Sequence, residues 1–343
     1  MSRSYTPNKT LVAAALALAM LPATLFAQDR IPTEIIQATT ITQQTEQQLR
    51  SITRQTVLVL VEPDADLRKR TRRNLTSPLT RSDATDAFRN AYSLVLVDEL
   101  RPLLSDASFE TRLNAAIILS YLHAPQALDL AGQALDDENP AVRYWAARCF
   151  EDITPRVQLT NQQLLGNADL LAGQLATETS DITAIRLVEA LDAFSNPDAY
   201  QRLIDALFTR TVTDRDSLAP EERALTATFQ WLIRARSEGV NIEPILANLS
   251  ALVIVNAQVA TERLQQDPEA PNAAELIRVS DQVLDLARET FFPNTPAPGG
   301  SLSRYIPRAE WTQVLQALQS WKTLLADPTV NLSQQARDAL NNR

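Results

Sequence analysis

Asp137-Glu-Asn-Pro-Ala-Val-Arg143-Tyr-Trp-Ala-Ala147 is the stretch that decides how this chain folds. Asn139 can cap a helix with its side chain, and Pro140 presets the φ of the first helical residue. Beyond them Trp145 and Cys149 fall on one helical stripe. Ala146 and Ala147 are small enough to let a second helix approach closely, with Phe150 and Leu119 filling the space between layers. Trp145 is expected in that core.

The pattern recurs. Phe109-Glu-Thr-Arg112-Leu-Asn-Ala115-Ala116 superposes on Pro140–Ala147 at a shift of 31. Asp181-Ile-Thr-Ala-Ile185-Arg186-Leu-Val-Glu-Ala190 superposes on the same stretch at a shift of 43, with Glu189 where the others carry Ala115 and Ala146. The helices that follow also match. His123-Ala-Pro125-Gln-Ala127-Leu128 is echoed by Ser195-Asn-Pro197-Asp-Ala199-Tyr200, and Ala131-Gly-Gln-Ala-Leu135 loosely by Ala172-Gly-Gln-Leu-Ala176. Periods of about 30 to 45 residues with two helices each mark a helical solenoid.

On these residues the stretch from Asp106 to Leu207 resembles the HEAT-like (PBS-lyase-type) helical repeat family, whose first helix opens on Asp or Asn-Pro and continues with an Arg and then small residues. The resemblance implies an all-α fold, a right-handed α-solenoid of HEAT-like helix pairs. It implies a structural role for Arg112, Arg143 and Arg186 in tying helices to neighbouring loops, and it carries no lyase activity across.

Outward from the repeats, apolar residues three or four apart continue in nearly every segment after residue 33. The runs Val57–Val61 and Leu94–Val97 extend helical patterns and read as buried helix rather than strand. Residues 28–210 are expected to form the solenoid, and the polar 211–220 a linker. Helices are expected near 221–237, 243–264, 272–291, 308–326 and 332–341, as degenerate repeats or a small bundle. Between them Pro293–Pro307, rich in Pro and Gly, is expected to be a non-helical loop.

Residues 1–27 read as a cleavable secretory signal. Arg3 and Lys9 precede the apolar Leu11–Leu21, Pro22 ends it, and small residues lead to Ala27. Its removal takes the formal charge from −9 to −11. An exported acidic chain is a poor match for nucleic acid, which needs a basic face. No later stretch is expected to span a bilayer, so the location is periplasmic or extracellular.

Composition removes whole chemistries. One His and one Cys among 343 residues build no His/Cys metal site and no disulfide within the chain. Six glycines, with only Gly299 and Gly300 adjacent, leave no phosphate-cradling loop. No catalytic, cofactor-binding or metal residue is expected. Cys149, among Trp145, Ala146, Ala147 and Phe150, reads as a buried thiol, His123 as a turn residue, and Asp136-Asp137-Glu138 as cap and turn acids. The Asn-x-Ser/Thr triplets at Asn74, Asn248 and Asn331 matter only if exported chains are glycosylated in the cell of origin.

One candidate interaction face stands out. On Leu67–Leu75, Arg68, Lys69, Arg70, Arg72 and Arg73 cover one side of a helix while Leu67, Thr71, Asn74 and Leu75 share the other. Asp64 and Asp66, four residues before Arg68 and Arg70, are expected to neutralise them in part. The face suits an anionic surface, peptide or polymer, or is simply a solvated side. Together these features point to an exported, non-enzymatic binding or scaffold protein of the cell envelope with a protein or peptide partner. The competing reading is an exported hydrolase or lyase that works on a polymer with two carboxylates.

Overall fold

Several helix starts in this chain are written in side chains. Ser108 accepts from the Thr111 N–H at 3.4 Å, Asn139 from Ala141 at 2.9 Å and Ser180 from Thr183 at 3.4 Å, each at the first turn of a helix. Thr160 and Gln163 bond reciprocally as a capping box. The structure, a computed structural model, describes residues 31–211 and 217–342. The expected signal at 1–27 and residues 212–216 of the expected linker at 211–220 lie outside the described residues.

Contacts divide the chain into two units at Phe88. The first holds α1 (Thr33–Ile36), α2 (Gln43–Leu58) and α3 (Ala65–Thr80), and α4 (Asp86–Leu100) begins in it. Asp83 ties its loops, accepting from Arg81 at 2.6 and 2.8 Å and from Gln37 at 2.8 Å. The run 57–61 is helical as expected, its last turn tightening to 3₁₀ over Val59–Val61. Against the expectation, the run is not buried throughout: Val57 and Leu60 are buried and Val59 half-buried, whereas Leu58 and Val61 are exposed.

The second unit continues with α5 (Phe109–Leu119), α6 (Gln126–Ala134), α7 (Pro140–Ile153), α8 (Asn161–Thr177), α9 (Asp181–Asp192) and α10 (Pro197–Thr211). Beyond them lie α11 (Ala219–Ser237), α12 (Glu243–Gln266), α13 (Ala273–Phe291), α14 (Trp311–Leu325) and α15 (Gln334–Asn341). Alternate helices stack. One layer is α5, α7, α9, α11 and α13; the other is α6, α8, α10, α12 and α14. This is an all-α solenoid, and helices on either side of 211–220 pack on each other: α9 on α11 and α10 on α12.

The caps Ser108, Asn139 and Ser180 set the true register, 31 and then 41 residues apart. Burial obeys it: Thr111, Ala115, Ala116, Ile118 and Leu119 correspond to Val142, Ala146, Ala147, Cys149 and Phe150, all buried. The third copy gives Thr183, Leu187, Val188, Ala190 and Leu191, again all buried. The shift of 43 read from the Arg and Ala letters is therefore two residues too long, about 200° around a helix. Cys149 is fully buried as expected; its thiol donates to the Trp145 carbonyl at 3.1 Å, and burial pushes its pKa up.

Three expectations need correcting. Trp145 is only half-buried, because its position faces out of the layer rather than between layers. Helix α12 is long and apolar enough to cross a membrane by length and composition, with a window of mean hydropathy 1.5, where no such stretch was expected. In the fold 83% of that window is buried, since α12 is flanked by α10, α13, α14 and α15, and a helix enclosed on all sides is apolar on all sides. Finally, Leu302–Arg308 forms a 3₁₀ helix inside the expected loop. Asp281 supplies its cap from a distance, accepting from the Leu302 N–H at 2.7 Å, the Ser303 N–H at 3.2 Å and the Ser301 hydroxyl at 2.5 Å.

Candidate functional site

Two of the three repeat arginines are joints. Arg112 reaches back to the Asp106 and Ala107 carbonyls at 3.0 and 3.3 Å and forward to the Asp137 carboxylate at 2.6 and 3.2 Å. Arg143 does the same one repeat on, holding the Asp137 and Glu138 carbonyls at 2.8 and 3.1 Å and Glu178 in a bidentate pair at 2.7 Å. Each acid also accepts from the N–H of the cap residue two positions later, Asp137 from Asn139 and Glu178 from Ser180, both at 2.8 Å. Burial pushes the Glu178 carboxyl up, but Arg143, the Ser180 N–H and Gln174 together hold it below the usual carboxylate range. Of the acids at 136–138, Asp137 thus serves the turn as expected but is also the partner of Arg112, which pairs with Glu138 as well at 3.1 Å.

Arg186 is not part of this ladder, against the expectation. With the register at 41 it corresponds to Trp145, not Arg143, and it faces outward. Its guanidinium lies over the Tyr144 ring, 4.9 Å from the centroid, donates to the Tyr144 hydroxyl at 2.7 Å, and pairs with Glu151 and with Glu189, the latter at 2.8 Å. The buried joint in that region is made instead by Arg210, which bonds Glu221 at 3.0 Å and the Leu175 and Glu178 carbonyls at 3.0 and 2.7 Å.

The outward side of the first-helix layer therefore carries a continuous aromatic and arginine face. On α7, Tyr144 and Trp145 meet edge to face at 5.8 Å, and Arg148 sits over the Trp145 ring at 5.0 Å. Arg186 joins α9 to this group, Arg223 of α11 reaches Glu189 at 3.2 Å, and Ile182 stands 69% exposed beside them in sequence. Tyr, Trp and Arg are the side chains that dominate protein–protein hot spots, since each brings a large rigid apolar surface with a polar end. Sequence reading missed this face because Trp145 was expected in the core and Arg186 in the ladder, and Tyr144 was given no role. The Ser180 cap signal, forty-one residues after Asn139, could have found it.

The basic face of α3 lies where it was read. Thr71 and Leu75 are buried and Leu67 half-buried, while Lys69, Arg70 and Arg73 are exposed and Arg68 and Arg72 half-exposed; Asn74, placed with the inner side, is exposed. The expected neutralisation takes another form. Asp64 accepts from the Asp66 and Leu67 N–H groups as the helix cap, and its pKa falls chiefly for that reason. Arg68 reaches the Glu62 carbonyl at 2.7 Å and Arg70 the Asp66 carbonyl at 3.4 Å.

Of the remaining candidates, His123 lies in the turn between α5 and α6, its N–H donating to Ser93 at 2.8 Å. Asn248 is buried, and its amide bonds Gln201 and the Ser333 N–H at 2.9 Å each, so it clasps α10 and the start of α15 instead of facing solvent. Among the described residues no group of three His, Cys, Asp or Glu gathers to hold a metal ion. One pair of neighbouring carboxyls, Asp281 and Asp285, raises Asp285 after burial does, but Asp281 is already the remote cap of the 3₁₀ helix.

Comparison with known proteins agrees with the repeat reading. Residues 97–163 match the family model of HEAT repeats, the segment that contains both Arg112 and Arg143. No curated protein matches the chain. Among solved structures, one engineered protein from the Northeast Structural Genomics Consortium superposes with a TM-score of 0.39 at 17% identity, over 87% of this chain and 70% of its own. A second engineered protein from the same source gives a TM-score of 0.38 at 16% identity, over 78% and 97%. HEAT-like repeats in general serve as scaffolds for protein–protein interaction.

Proposed function

We propose that the chain is an exported, non-enzymatic scaffold of the cell envelope that holds a protein partner against the aromatic and arginine face of its first-helix layer. One observation carries the reading: Tyr144, Trp145, Arg148 and Arg186 form a contiguous group on two adjacent helices, half-exposed and required by neither core nor ladder. The export half rests on the Arg3/Lys9, Leu11–Leu21 and Ala27 pattern.

The test uses the secreted chain as bait in envelope extract of its own cell. A protein retained by the native chain should be lost by a Tyr144→Ala/Trp145→Ala variant that keeps its helix signal, while an Asp169→Ala variant on α8 retains it. Equal retention by all three overturns the assignment of the face. A tagged chain found in the cytoplasm with residue 1 intact overturns the export half.

A further inference from the structure

The last helices enclose a groove unrelated to the first-helix face. It lies between α14 and the segment that leads into α15, and measures about 580 Å³, inside the roughly 300–1,000 Å³ typical of small-molecule sites. Its floor is apolar: Leu325, Val330, Leu332 and Leu340 supply the buried part, and Pro328 one wall. A second, more open hollow of about 430 Å³ shares Thr323, Ala326 and Asp327 with it and continues the depression towards Pro298.

Three charged side chains line the groove, two of them cationic. Lys322, half-buried on α14, and Arg337, exposed on α15, both line the groove. Neither side chain has an ion pair or hydrogen bond among the described residues. The lining carboxylate, Asp327, is spent on its own turn: it accepts from the Thr329 N–H at 2.8 Å and the Thr329 hydroxyl at 2.7 Å, which holds its pKa down. Asp338, next to Arg337 in sequence, takes the Gln334 amide at 2.7 Å. An apolar trough with two unpartnered cations at its lip is complementary to a ligand with an apolar body and one anionic end. The segment is also pinned in place: Asn248 holds the Ser333 N–H at 2.9 Å and Gln335 donates to the Asp205 carbonyl at 3.1 Å. The site is thus formed before any ligand arrives.

From this geometry we infer that the α14–α15 groove binds a single-chain alkyl carboxylate, with the chain along Leu325, Val330, Leu332 and Leu340 and the carboxylate between Lys322 and Arg337. Both parts of the recognition are measurable. Each methylene drawn into the groove raises affinity by up to about fourfold. Each cation removed from the lip lowers it by about tenfold, the scale of one charge-assisted contact.

Titration calorimetry on the full secreted chain with octanoate, decanoate and dodecanoate, below their micelle concentrations, tests this directly. The expected result is one saturable site whose affinity climbs along the series. Lys322→Gln and Arg337→Gln, both surface changes that leave the fold intact by circular dichroism, should each weaken dodecanoate about tenfold. Arg278→Gln on α13, a cation placed in no site, should not weaken it. Dodecanol binding as tightly as dodecanoate, an affinity independent of chain length, equal binding by the Lys322→Gln and native chains, or no saturable heat would each overturn the inference. End-to-end association of the chain that dodecanoate fails to disperse would show the groove to be covered by a second copy instead.

Discussion

Replacing Arg143 by Met removes the guanidinium while keeping an unbranched apolar stem, and so isolates the joint between successive repeats. The pair it breaks is enclosed: Arg143 is 13% exposed and Glu178 not at all. Two bonds of 2.7 Å to Glu178 disappear, leaving that carboxylate with the Ser180 N–H at 2.8 Å and Gln174 at 3.3 Å. Removing one partner of a buried pair costs about 3–5 kcal/mol, because the survivor stays charged and desolvated. The Ser180 and Gln174 donors that stay on the carboxylate put the expected loss near the lower end, about 3 kcal/mol. The exposed pair Arg202–Asp169, with Asp169 61% exposed, should lose less than about 1 kcal/mol on Asp169→Ala and serves as the control. The pH dependence carries a sign. In the native chain Glu178 titrates below its unfolded value, so its contribution is present above that value and fades as pH falls through the lowered one. Without Arg143 the opposing effect of burial dominates and the pKa moves above the unfolded value, so the deficit of the variant should shrink between pH 7 and pH 5. Urea unfolding followed by the helix signal at both pH values measures this, and Arg143→Met/Glu178→Gln should recover part of the loss. A deficit under about 1 kcal/mol at pH 7, or one that is equal at pH 5, would refute the reasoning.

Four further outcomes follow from the packing. Phe150→Ala, fully buried between layers, should cost about 3–5 kcal/mol in urea unfolding, and Trp145→Ala on the open side less than half of that; equal losses would return Trp145 to the core. Asn256 is wholly buried in α12 with neither amide atom hydrogen-bonded among the described residues, so Asn256→Leu should raise the stability by about 1–2 kcal/mol and with it the unfolding midpoint, and a lower midpoint would contradict that. Asn248→Ala should leave the solenoid helical but speed proteolytic cleavage within 327–342, as the clasp to Ser333 is lost; unchanged cleavage would show the clasp to be idle. Gly299→Ala should destabilise, since φ is +71° and an added Cβ would stand 2.6 Å from that of Ala317; a neutral effect in thermal unfolding would argue against that close approach.

How far the sequence could be read depended on which signal was local. Caps and prolines act within one turn, and Ser108, Asn139, Thr160 and Ser180 start the helices they announce. The C-terminal helices fall within about three residues of their expected bounds, α11 and α12 with a proline in the first turn and α15 with the Ser333 cap. Register between repeats was harder. Arg and Ala recur at a shift of 43, yet side chains pack according to distance from the cap, and two residues turn Arg186 to the opposite side. Trp145 was misplaced by the same preference for letters over position: an apolar stripe on α7 is wide enough to include it, but the buried side is Val142, Ala146, Ala147, Cys149, Phe150 and Ile153. The groove by α14 was out of reach, because Asp281, Asn248 and Gln335 act across 21, 85 and 130 residues to shape that end.

The joint made by Arg112 and Arg143 ignores the length of chain it spans: 25 residues separate Arg112 from Asp137, and 35 separate Arg143 from Glu178. Asp137 and Glu178 hold equivalent places, each two residues ahead of a cap. Excision of residues 137–177 would therefore hand Arg112 the carboxylate of Glu178 and bring Ser180 to the place of Asn139, with the backbone docking unchanged in kind. A chain joined in this manner can gain or shed whole helix pairs during evolution without redesign of its seams, which turns the number of modules into a freely adjustable property of the molecule.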